Sequence, residues 1–386
     1  MIPYGRQDIS PADIQTLVDV LQSDFLTQGP QVPKFEQRVA EETQAAHGVA
    51  VNSGTSALHI ACMALGLGEG DWLWTSPNTF VASANCGLYC GAQIDFVDID
   101  PRTYNLCPDA LESKLREAQQ TGRLPKVLVA VHFAGQPCDM KRIHALSKTY
   151  GFSIIEDASH ALGAQYDDEQ VGACRYSDIT VFSFHPVKII TTAEGGMATT
   201  QSAELAQKMR LYRTHGITKD HEQMRNPPAG PWVYEQIALG YNYRMPDLLA
   251  ALGCSQMERL SAYIQRRRQI AAHYDAALQT FPLTCPWQAP GALSAYHLYV
   301  IRLDLKAIAK DRLTVFQELR ARQIGVQIHY IPVHTQPYFR DLGFQSGDFP
   351  HAETYYEEAI SLPMYPGLTD PLQHQVVETL RDILTG

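Results

Sequence analysis

Three segments carry residues whose types and positions could do chemistry. In TVFSFHPVKIITTAEGGMATT (180–200) a single lysine, Lys188, stands between two apolar runs, ahead of a Gly-Gly pair. In FSIIEDASHALGAQY (152–166) an apolar run leads straight into Glu156 and Asp157, with His160 three residues beyond Asp157. In VNSGTSALHIACMALGLG (51–68) the small residues from Asn52 to Ser56 precede a stretch that is apolar on every side. A lysine amine whose pKa is lowered by burial is a nucleophile towards carbonyl carbon. An acid at the end of a strand can cap a helix, bind a metal or face a protonated ring nitrogen. Small residues at a helix start let a phosphate reach the backbone N–H groups at the positive end of the helix, and Thr55 and Ser56 add hydroxyl donors.

Each feature also has a plainer reading. The lysine stem could lie on apolar surface with its head in water, or the ammonium could sit in a salt bridge. Ser53 to Ser56 could be an ordinary helix cap, and His160 a packed histidine. Only the combination is specific. An amine, a carboxylate and a phosphate cradle at one sheet edge are what pyridoxal phosphate requires: a lysine partner, an acid at the pyridine nitrogen and a helix N-terminus.

The elements that must position these groups follow from the apolar pattern. GVAV, WLWT, QIDFVDI, KVLVAVHF, FSIIED, DITVFSF and GMATT are short apolar runs. TSALHIACMALGLG, DALESKLREAQQ and MKRIHALSKTYG between them have helical spacing, two of them ending in the glycines that favour helix termini. Strands apolar throughout, alternating with helices, predict a mainly parallel α/β sheet covered on both faces. Such sheets bind ligands at the carboxyl ends of their strands, where Asp157, Lys188 and the Thr55 turn all fall. Ser10 and Pro11 open a helix in SPADIQTLVDVLQS. PDLLAALGCSQMERLSAYIQRRRQIAAHYDAALQ reads as one long helix leading into a smaller α+β domain with strands AYHLYVIRL and GVQIHYIPV and helices DRLTVFQELRARQ and YYEEAIS. The expected division is an arm over 1–30, a large domain over 31–255 and a small C-terminal domain over 256–386.

Composition narrows the classes. The 386 residues are 45% hydrophobic and 19% charged, with a formal net charge of −10. An acidic chain whose only dense basic run is QRRRQ (265–269), read as a solvated helix face, is no nucleic-acid binder. The N-terminus lacks a signal-peptide pattern, and no window reaches the roughly 18 apolar residues of a membrane span. Cys86 and Cys90 stand four apart and could suggest a metal pair. With no companion ligands at fingerprint spacing, the eight cysteines are read as reduced thiols of a cytoplasmic protein, and no metal is expected. Walker, GxSxG, HExxH and strand-linked GxGxxG motifs are absent, and GLGEGD reads as a turn.

Seven blocks in order, LTQGP, VNSGTSAL, TSPNTFVASANC, EDASHALGA, FSFHPVKIITTAEGG, RTHGI and GYNYRMPD, resemble the DegT-type nucleotide-sugar aminotransferases over nearly the whole chain. The resemblance implies a fold-type-I pyridoxal 5′-phosphate enzyme that uses L-glutamate as amino donor. It implies Lys188 as the lysine that binds the cofactor covalently, Asp157 at the pyridinium nitrogen and His160 near the ring. Gly54, Thr55, Ser56 and Ser183 would hold the phosphate, and Phe80 would cover the ring. Asn242 would reach the phosphate in a neighbouring subunit, making a homodimer with shared sites. Tyr4, Asp24, Phe25, Leu26, Thr27, His329 and Tyr330 match regions that bind the sugar nucleotide. Within the family, FHPVKIITTAEGG, IHYIPVHTQPYF and YYEEAISLPMY most resemble the pseudaminic-acid-pathway enzyme, which aminates UDP-4-keto-6-deoxy-N-acetyl-β-L-altrosamine at C4. One departure is the long segment THGITKDHEQMRNPPAGPWVYEQIALGYN, which could reshape the sugar pocket. Alternatives are amination of another 3- or 4-keto nucleotide sugar for a surface polysaccharide or antibiotic, or a non-catalytic cofactor-binding regulator. Sugar dehydratases of the same fold replace the lysine by histidine. Lys188 counts against that reading, and His185 lies three residues too early to substitute.

Overall fold

The computed structural model describes residues 1–385. All seven apolar runs form strands of one sheet: β1 (His47–Val51), β2 (Trp72–Thr75), β3 (Gln93–Phe96), β4 (Val127–Val131), β5 (Ser153–Asp157), β6 (Ile179–Ser183) and β7 (Gly196–Thr200). Their order is β1-β7-β6-β5-β4-β2-β3. Neighbours pair in parallel except at β7, which runs antiparallel to both β1 and β6.

The strands are apolar throughout because both faces are buried. Val127, Val129 and Val131 join the cluster under helices α3 (Gly54–Ala64), α4 (Ala82–Tyr89) and α7 (Ala203–Arg213). Leu128 and Ala130 point the other way, towards α5 (Pro108–Thr121) and α6 (Met140–Tyr150). Helices α1 (Pro11–Leu21) and α2 (Gln31–Thr43) pack on α8 (Asp247–Met257). Ser10 caps α1 with a capping box completed by Asp13, as Pro11 at the next position favours.

Beyond α8 a further apolar cluster gathers Ile270, Tyr274, Tyr299, Ile301, Leu319 and Leu380, and Ile2 from the N-terminus joins it. Its three-stranded sheet is antiparallel, with Tyr299–Leu303 in the middle between Leu283–Thr284 and Ala359–Leu362.

QRRRQ is not a wholly solvated face, since Arg267 is buried and donates to the Tyr296, His297 and Met364 carbonyls. Three expectations about elements also need correction. The long helix is two, α8 and α9 (Leu260–Leu278). Arg259 leaves helical geometry (φ −108°, ψ 3°), and its guanidinium is anchored on buried Asp13 at 2.6 Å, on Ser10 and on Tyr263. GVQIHYIPV is not a regular strand: Gln327 makes an isolated bridge to Ser361, after which the chain turns towards the large sheet and Val333 N–H donates to the Pro77 carbonyl. YYEEAIS is helical only to Glu358; from Ala359 it is the strand paired with Tyr299–Arg302.

Candidate active site

The parallel strands and the reversed β7 bring four segments to one edge. Gly54 follows β1, Asp157 ends β5, Ser183 ends β6, and Gly196, paired with both Ser183 and Val51, starts β7. The connection from β6 to β7 carries Lys188. A cavity of about 420 Å³ opens there, lined by Gly54, Thr55, Phe80, Asp157, Ser183 and Lys188, among others. A larger depression of about 500 Å³ between α9 and the 165–170 turn is lined by Leu260, Gln265 and Arg268 and has no comparable set of reactive groups.

Asp157 is buried and accepts three hydrogen bonds. Its Oδ2 accepts from Ser83 Oγ at 2.6 Å, and its Oδ1 accepts from Ser159 Oγ at 2.6 Å and from Ser159 N–H at 3.1 Å. Burial lowers the Lys188 amine to about 8, against the opposing pull of the Asp157 charge. Near neutrality a useful fraction of that amine is unprotonated, as nucleophilic chemistry requires.

Besides the exposed His185, three buried imidazoles line the cavity around the lysine: His160, His297 and His329. Burial, reinforced by the Lys188 charge, keeps each of them neutral, with His329 at about 3. Ala134 N–H donates to His160 Nδ1 at 3.2 Å, so the neutral ring carries its proton on Nε2 and donates it to Tyr330 Oη at 3.1 Å. The Tyr330 hydroxyl proton is thereby left to serve another acceptor. Burial and the Asp157 charge raise the Tyr330 phenol, so that proton stays on at neutral pH. His297 lies with its ring 4.3 Å from that of His160, and its buried Nδ1 has no partner among the described residues.

The first turn of α3 suits a phosphate. Ser53 Oγ accepts from Ser56 N–H, leaving the earlier N–H groups of Gly54 and Thr55 without intrahelical partners. A Cβ on Gly54 would stand 3.0 Å from Ser183 Cβ, so glycine keeps the gap between helix and strand open.

Not every expected residue is brought to the cavity. Tyr4, His160, His329 and Tyr330 line it, as does Phe80, whose 58% exposed ring lies at the mouth. The Ser56 hydroxyl turns inward onto Asn52 Oδ1 at 2.7 Å, and Ser53 stands at the cavity in its place. Asp24, Phe25, Leu26 and Thr27 lie outside it, with the Leu26 carbonyl accepting from Asp247 N–H and Thr27 bridging to Pro246. Asn242, bridged to Thr214, is also outside its own chain's cavity. The sequence reading did not single out Thr79, Ser83, Ser159, Glu194 or His297 at the site. Thr79 and Ser83 fall within the quoted TSPNTFVASANC block, but nothing in a linear sequence joins Ser83 to an acid 74 positions away.

These donors and this cleft define a class before they define a chemistry on any one substrate: a pyridoxal-phosphate-dependent aminotransferase. Residues 7–381 match the DegT/DnrJ/EryC1/StrS aminotransferase family, and the chain belongs to it. It is similar, at 40% identity over 100% of this chain and 97% of the relative, to the spore coat polysaccharide biosynthesis protein SpsC of Bacillus subtilis. Among solved structures it resembles Helicobacter pylori PseC, an aminotransferase involved in the biosynthesis of pseudaminic acid, with a TM-score of 0.91, 30% identity, and 100% and 99% of the two chains covered. It also resembles Spr1654 of Streptococcus pneumoniae in its PLP form, with a TM-score of 0.89, 29% identity, and 100% and 98% covered. The protein is a sugar aminotransferase of fold type I.

Proposed function

We propose that the chain transfers an amino group from L-glutamate to C4 of a nucleotide-linked 4-keto-6-deoxy sugar. UDP-4-keto-6-deoxy-N-acetyl-β-L-altrosamine is the preferred candidate, which would place the reaction in pseudaminic acid biosynthesis in the cytoplasm. The observation that carries the transamination reading is the convergence of Lys188, Asp157 and the Gly54–Ser183 gap on one cavity. The likeness to PseC supports the choice of sugar.

In this reading Gly54, Thr55 and Ser183 hold the cofactor phosphate, Asp157 faces the pyridine nitrogen and Phe80 covers the ring at the cavity mouth. Bound pyridoxal phosphate supplies an electron-accepting ring. Lys188 would hold it through its amine and, when free, would move a proton at the carbon bearing the amino group as a positioned acid and base. Its depressed pKa suits both directions. His160 fixes Tyr330, whose free hydroxyl proton is available to a substrate oxygen, while Tyr4 and His329 border the sugar. Asn242 completes the phosphate site of a second copy, which makes the working unit a homodimer. Its place outside its own chain's cavity supports that assignment.

Purified enzyme, loaded with pyridoxal phosphate, should be given L-glutamate and a panel of 3-keto and 4-keto nucleotide sugars, with product mass read out. An aminated product from the 4-keto altrosamine alone, or at the highest kcat/KM, supports the reading. Preferred amination of a 3-keto sugar would reject it.

A further inference from the structure

Asp157 does not stand alone at the sheet edge. Ser83, on α4, is fully buried, and its Oγ donates to Asp157 Oδ2 at 2.6 Å. Thr79 Oγ1 lies 2.8 Å from Ser83 Oγ. Because the single Ser83 hydroxyl proton is spent on the carboxylate, Thr79 must be the donor in that second bond. A two-hydroxyl relay thus runs from the turn that also carries Phe80 into the acid. On the other oxygen, the two Ser159 donors fill both lone-pair positions of Oδ1. Only one acceptor position remains on the whole carboxylate, and it is on Oδ2.

We propose that Ser83 is a positioning residue for the transamination: it turns the one free lone pair of Asp157 towards the cofactor's ring nitrogen and keeps the shared proton on that nitrogen. This inference rests on the reading of Asp157 given above. Each hydrogen bond donated to a carboxylate occupies a lone pair and restrains rotation of the group. With three protein donors in place, one lone pair on Oδ2 is left to meet a ring N–H. Without Ser83 the carboxylate loses the bond that fixes its rotation, and the ring N–H loses its aligned acceptor. Ser83 never touches substrate; it acts through Asp157.

The test uses holoenzyme loaded with pyridoxal phosphate isotopically labelled at the ring nitrogen. The nitrogen NMR shift reports protonation directly, and the glutamate half-reaction is measured in parallel. For S83A the signal should move towards the unprotonated position, and the half-reaction should slow roughly tenfold, the scale of one hydrogen bond to a charged group. S83T, which keeps the hydroxyl, should restore the wild-type signal. An S83A signal unchanged from wild type would overturn the proposal, even if the enzyme were slower, because a merely structural role would slow it without moving the proton. D157N separates the two layers: if it leaves the nitrogen protonated, the reading of Asp157 itself fails; if it deprotonates the ring while S83A does not, only the role of Ser83 fails. Should S83A not fold, as judged by thermal unfolding of the apoprotein, S83C carries the same test, since a thiol of similar size is a weak donor.

Discussion

Replacing Lys188 by methionine should stabilise the cofactor-free protein, and should do so in a pH-dependent way. Folding takes the ammonium out of water, and burial lowers its pKa from the ordinary 10.5 to about 8, despite the nearby charge of Asp157. Between those two values the unfolded chain binds more protons than the folded one, so this lysine's contribution to stability improves as pH rises. Its cost is full below the folded value and disappears as pH climbs through the unfolded one. The gap between the values, discounted for water in the open cavity, corresponds to roughly 2–3 kcal/mol at pH 7 and about 1 kcal/mol at pH 9.5. Met keeps the apolar stem and removes the charge. Urea unfolding of the two apoproteins at both pH values measures the difference, and other titrating groups cancel between them. The variant is expected to be more stable by that amount at pH 7, with the advantage more than halved at pH 9.5. A variant less stable than wild type at pH 7, or a gain independent of pH, would refute the account of a desolvated amine held in place for its chemistry.

Two further outcomes follow from the geometry. Gly54→Ala places a methyl 3.0 Å from Ser183 Cβ and should weaken pyridoxal phosphate binding about tenfold, measured by equilibrium dialysis, since the helix end and the strand must part at the phosphate cradle. Asp13→Ala removes a fully buried carboxylate that accepts from Arg259, Gln256, Ser255 and the Ser10 N–H. It should cost about 2–3 kcal/mol in urea unfolding, because its buried donors lose an acceptor while the partly exposed Arg259 keeps Asp8 and water.

The large sheet was legible because its strands are buried on both faces: residues as different in position as Val49, Leu128 and Ile179 all had to be apolar, and the runs stand out between helices. The α1 start was legible because its cap chemistry is local, Ser10 to Asp13. Lys188, Asp157 and the Thr55 turn could be placed together because each abuts the end of an apolar run, where an α/β sheet opens. What failed depended on distant partners. No local residue breaks the α8–α9 run; Arg259 leaves the helix at a point where its side chain is anchored on Asp13, some 246 positions away. The Gln327–Val333 segment looks like a strand by composition, yet has only Ser361 to pair with, and it carries His329 and Tyr330 to the cavity instead. Ser56 has the right type for a phosphate ligand, but its hydroxyl finds Asn52 first. Ser83 and His297 owe their places to tertiary contacts alone.

The central claim is that Lys188 is the residue to which the cofactor is joined. Borohydride reduction of the yellow holoenzyme, followed by proteolysis and peptide mass mapping, tests it directly. The account requires the phosphopyridoxyl mass on the peptide that contains Lys188, and its loss in Lys188→Ala. The same mass fixed on any other lysine, or retained in that variant, would contradict it.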